Sequence, residues 1–103
     1  MSLSSVLLPP SVIKRDGSQA PFVGAKIRMA LERAGRATGE FGPQEALRLA
    51  FHAVKMVATR YPGQPPESAQ IREVIARMLI YAGHAATARV YRRSAERNAG
   101  LAS

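Results

Sequence analysis

Apolar positions recur along most of this chain with a helical period, and only near its start does the spacing shorten. From about Ala25 to Ala37, Ile27, Ala30, Leu31 and Ala34 fall at i, i+3, i+4 and i+7, while Arg28, Glu32, Arg33 and Arg36 take the other faces. Thr38-Gly39-Glu40-Phe41-Gly42 breaks the period. Pro43 then suits the first turn of a second helix running to about Arg60, with Leu47, Ala50, Phe51, Val54, Val57 and Ala58 as its stripe. After the rigid loop Tyr61-Pro62-Gly63-Gln64-Pro65-Pro66, Ser68 is the expected N-cap of a third helix. Its stripe is Ile71, Val74, Ile75, Met78, Leu79 and Ala82, and Gly83 stops it. A fourth helix, about Ala85 to Asn98, turns Ala88, Tyr91 and Ala95 inward. Met29, Met56 and Met78 read as core filler, and Phe22 and Tyr91 as packing residues.

Ahead of the helices, Val12-Ile13-Lys14-Arg15 is short and partly β-branched, and Asp16-Gly17 is a hairpin turn signal because Gly accepts a positive φ. Ser18 to Phe22 returns antiparallel, with Pro21 at an edge or strand end because it donates nothing to a ladder. Two strands alone are marginal in water, so they must lie on the helices. The expected architecture is mainly α with a small β cap: a β-hairpin packed on a four-helix bundle. Residues 1–10 read as an N-terminal arm, 11–97 as one domain and 98–103 as a tail.

Composition narrows the function. A chain of 103 residues is one domain and buries roughly two-thirds of its unfolded surface. There is no cysteine, which removes thiolate metal sites and cysteine nucleophiles and fits a reducing, cytoplasmic setting. No apolar run approaches the ~20 residues of a spanning helix, so no membrane partner is expected. His52 and His84 are far apart, Asp16 is the sole aspartate and belongs to the turn, and no carboxylates are paired for acid–base work. Neither an enzyme nor a protein metal site is therefore expected. The formal charge of +8 implies an acidic partner.

The cations are the candidate chemistry. Along a strand Lys14 and Arg15 would point to opposite faces, each beside an apolar neighbour, as suits a hairpin gripping a polyanion edge-on. Lys26 falls in the first turn of the first helix, where the dipole disfavours a cation by ~0.3–1 kcal/mol and a phosphate would relieve it. Arg72 lies near the start of the third helix and could meet an anion there bidentately. Each alone is ordinary surface charge. Together they could converge on one triphosphate. The other reading is a basic nucleic-acid-binding helical module, motivated by Arg89, Arg92, Arg93 and Arg97, although aromatics interleaved for base stacking are absent.

Val12-Ile13-Lys14-Arg15-Asp16-Gly17-Ser18, then Pro21-Phe22 and Lys26-Ile27, closely resemble the opening of the ATP-cone domain. Ile71-Arg72-Glu73-Val74-Ile75 and Ala88-Arg89-Val90-Tyr91 extend the likeness over about Ser11 to Arg97. The resemblance implies a hairpin-capped helical bundle that binds ATP or dATP, with Mg2+ bridging phosphates, and regulates ribonucleotide reductase through nucleotide-dependent association, as a homo-oligomer or with a reductase subunit. It implies that Val12 touches base or sugar, that Lys14, Arg15 and Lys26 hold phosphates, and that Ile27 lies on the nucleotide's apolar face. Ser68 and Arg72 stand where the family places further phosphate and sugar ligands. Ala20 and Val23 depart from its usual acid and Asp or Asn, and Ser94-Ala95 from its late aromatic–arginine pair. Cones also occur in a reductase repressor behind a zinc ribbon, whose CxxC pairs have no counterpart here. No reductase follows the cone, so it is either a piece of a larger chain or free-standing, and Met1 and the tail favour the second.

Overall fold

A computed structural model describes residues 9–102, with side chains described through Ser94. The N-terminal arm up to Leu8 and the inward placement expected of Ala95 lie outside what is described. Two short strands precede four helices: β1 (Ser11–Ile13), β2 (Gln19–Pro21), α1 (Gly24–Thr38), α2 (Pro43–Arg60), α3 (Ser68–Tyr81) and α4 (Ala85–Ala102). The protein is mainly helical with a small antiparallel hairpin, as the apolar spacing implies. The fourth helix continues past Asn98 to Ala102, with Gly100 inside it.

The hairpin pairs Ser11 with Pro21, Val12 with Ala20 and Ile13 with Gln19. Pro21 is the final strand residue, where its missing donor costs nothing. The turn is wider than the Asp-Gly signal suggests. Gly17 N–H donates to the Lys14 carbonyl at 2.9 Å, and Lys14 N–H donates to the Ser18 carbonyl at 2.7 Å. Arg15 and Asp16 are thus the central turn residues, and Gly17 follows at φ 89, where a side chain would be strained. Asp16 Oδ1 accepts from the Ser18 amide (2.9 Å) and hydroxyl (2.6 Å), which locks the turn. β1 ends at Ile13, so the strand alternation expected of Lys14 and Arg15 does not apply. Both belong to the turn and both are exposed.

The helices form a closed ring in which α1 packs on α2 and α4, and α3 packs on α4 and α2. Ile27, Leu31, Leu49, Val57, Ile71, Ile75, Leu79 and Tyr91 fill the middle, with Val12 and Phe22 of the hairpin region packed against them. α2 departs from its expected stripe. Its buried face is Ala46, Leu49, Ala50, Ala53, Val57 and Ala58, while Leu47 and Phe51 are 59% and 67% exposed. The small residues let neighbouring helices approach, whereas the larger apolar pair lies on the flank of that face. The methionines divide likewise: Met78 is buried, but Met29 is 52% and Met56 39% exposed, so only the first serves as core filler. Ala82, at the end of α3, is exposed as well.

One polar junction ties the ring together. Thr87, fully buried near the start of α4, donates its amide to Glu40 Oε1 at 2.9 Å and its hydroxyl to the same oxygen. Thr38 Oγ1 lies 2.7 Å from Thr87 Oγ1, so the ends of α1 and α4 meet. The Thr87 hydroxyl bond in particular holds the Glu40 carboxyl below its usual range. Phe41 packs over His84 with centroids 4.8 Å apart and fills the space beside Gly35, where any Cβ would lie within 3.0 Å of its ring.

Candidate functional site

The loop before α3 brings a distant segment to the hairpin. Ile13 N–H donates to the Pro66 carbonyl at 2.9 Å, and Ile13 forms a parallel bridge with Glu67. Pro66 is fully buried, so the attachment is part of the core. It sets the N-terminus of α3 beside the hairpin turn, and an open cleft of about 650 Å³ lies between them, lined by Ile13, Lys14, Arg15, Gly17, Glu67, Ser68, Ala69 and Arg72. That volume falls within the range of small-molecule sites, roughly 300–1,000 Å³.

The cap of α3 differs from expectation by one residue. Glu67 is the N-cap, in a capping-box arrangement in which Gln70 Oε1 accepts from the Glu67 N–H at 2.9 Å. Ser68 is therefore the first helical residue, and its side chain is released from capping to line the cleft. Arg72 follows one turn later, half-buried, on the same wall. Its charge also acts on Tyr91 of α4. Burial pushes the Tyr91 hydroxyl up to about 12, with Arg72 pulling the other way. Arg72 thus stands between the cleft and the core.

Four of the seven expected site residues share this cleft: Lys14, Arg15, Ser68 and Arg72. Val12 and Ile27 are not on the cleft wall: Ile27 belongs to the buried core, and Val12 packs against that core. Lys26 is exposed on the first turn of α1 and is not on the cleft wall. The first turn of α1 contains no acid, and its N-cap, Val23, offers no side-chain cap. Gly24 is the first helical residue.

Four wall residues were not anticipated: Ile13, Gly17, Glu67 and Ala69. Glu67 has only half of a local signal: Gln70 stands where a capping box has its Glu or Gln, but Glu67 is not one of the usual Ser, Thr, Asp or Asn caps. Ile13 contributes through pairing with a segment more than fifty positions away, for which no local signal exists. Among the described residues no group of three or more His, Asp or Glu side chains could hold a metal by itself, and no helix is long and apolar enough to cross a membrane.

A hairpin clasped to a four-helix ring, with cations at the turn and at a helix start, is the arrangement of a small nucleotide-binding regulatory domain. The sequence profile of the ATP cone domain matches residues 10–97, and the chain belongs to that family. A search of curated proteins finds no match. ATP-cone domains are non-catalytic allosteric modules with ATP or dATP as their effectors.

Proposed function

We propose that this chain is a non-catalytic sensor whose cleft holds the phosphates of ATP or dATP, and that occupancy changes its association with itself or with a ribonucleotide reductase subunit in the cytoplasm. The observation that carries the reading is the junction of Ile13 with Pro66, which puts three cations from two chain segments on one cleft. Lys14 and Arg15 act from the turn, Arg72 can grip an oxygen pair bidentately, and the Ser68 hydroxyl adds a neutral donor. The start of α3 contributes its positive end to the same space. Val12, half-buried, offers apolar surface to the base or sugar, while Ile27, buried in the core, contributes little surface of its own. Lys26 acts as an outlying cation from α1, contributing less than the wall residues. Mg2+ accompanies the phosphates.

Regulation requires that the ligand bind one associated state better than another, since equal affinity shifts nothing. Titration calorimetry of the full chain with ATP, dATP and GTP, paired with sedimentation of the same mixtures, tests both halves. Heat with the adenine nucleotides and a change in mass upon saturation are expected. The absence of heat at millimolar ATP ends the reading. Strong binding to duplex or single-stranded DNA that falls steeply with salt and ignores ATP would instead favour a nucleic-acid module.

A further inference from the structure

We infer that Glu67 makes the cleft select a triphosphate carrying a divalent cation over the bare triphosphate. This rests on the nucleotide reading above. Glu67 is the one acid on a wall that otherwise presents Lys14, Arg15, Ser68 and Arg72. Three cations against one carboxylate leave two net positive charges there.

The other described carboxylates of the helices and turn are engaged. Glu32 pairs with Arg28 and Arg36, Glu45 with Arg48, and Glu73 with Arg77 and Arg92. Glu40 is held by Thr87, and Asp16 by Ser18. Glu67 is exposed and, apart from the capping box in which its carboxylate accepts from the Gln70 N–H, is held by no cation among the described residues, although three share its cleft. Its place as N-cap of α3 fixes its backbone at the mouth of the phosphate space.

A carboxylate so placed repels phosphate oxygens. The sign reverses when a hard cation lies between them. Magnesium suits this donor set: it keeps most of its waters and takes one or two carboxylates together with substrate phosphates rather than an all-protein cage. Glu67 would hold the cation from the protein side, while Lys14, Arg15 and Arg72 hold the remaining phosphate oxygens. The reduced charge of the metal complex also matches the net charge of the wall better than the bare tail does.

The test is calorimetry on the full chain with ATP in magnesium and with ATP in EDTA, for the wild type and Glu67→Gln. The amide keeps the side-chain length and an acceptor for the cap, and a thermal melt confirms the fold. The wild type is expected to bind the magnesium form about tenfold more tightly, the scale of one close charge contact in a partly screened site. In Glu67→Gln the ratio should shrink to about twofold, and the bare nucleotide should bind more tightly than it does to the wild type. General damage cannot produce that gain. A wild type indifferent to metal, or a variant weakened equally toward both forms, overturns the inference and leaves nucleotide binding standing. If the wild type binds neither form at millimolar concentration, the nucleotide reading fails and this one falls with it.

Discussion

Gly35→Ala sets two known effects against each other. Alanine in a helix interior is favoured over glycine by about 1 kcal/mol, so a free surface would gain that much. At Gly35 the added methyl would meet the Phe41 ring within 3.0 Å. Phe41 is half-buried and packed over His84, so the ring cannot swing away without losing that contact. Overpacking of this kind costs about 1–3 kcal/mol. The net effect in the wild type is a loss of up to about 2 kcal/mol, and for a chain of this size each kcal/mol is roughly 4–8 °C in Tm. In a Phe41→Ala background the obstacle is gone, and the same substitution should raise Tm by about 4–8 °C. A double-mutant cycle by thermal and urea unfolding measures the difference, expected at about 1–3 kcal/mol. If Gly35→Ala stabilises the wild type as much as the Phe41→Ala protein, the ring is not confined and the reasoning is wrong.

Lys14→Ala and Arg72→Ala should each weaken ATP about tenfold in calorimetry, the scale of a charge-assisted hydrogen bond, while Lys26→Ala weakens it less. Unchanged affinity in both wall variants would remove the phosphate role. The folded Glu40 carboxyl is depressed below its ordinary value of 4.5, so its contribution is present above that pH and is lost as pH falls through the folded value. Tm should therefore drop on acidification below about pH 4.5, and Glu40→Gln should flatten that limb. Tyr91 behaves oppositely, since its folded value is raised from 10.0 to about 12 by burial. Its contribution is intact below pH 10 and fades as pH rises toward 12, so Tyr91→Phe should flatten the alkaline limb of a Tm-against-pH curve.

Local patterns were legible where one segment decides its own shape. The period of Ile27, Leu31 and Ala34 defined α1, and the stripe of Ile71, Val74, Ile75, Met78 and Leu79 defined α3. Asp16-Gly17 announced the hairpin, but the identity of the central pair depended on how many residues the turn enclosed. α2 was misread in rotation because Leu47 and Phe51 are the more hydrophobic side chains, while close approach of neighbouring helices selects Ala46, Ala50 and Ala53. Hydrophobicity alone does not encode that steric demand. The candidate cations were legible as residue types and their convergence as an expectation, yet the contact that brings them together was not. It depends on Pro66 offering its carbonyl to Ile13, and nothing near either residue signals the other.

The carboxylate of Glu40 completes the start of a helix that begins more than forty positions later and has no acid in its own first turn. α4 borrows its anchor. Cut from the earlier half of the chain, the segment from Ala85 onward should fray at its beginning even where its own residues favour coiling, so the last element of the ring inherits its order from the first two.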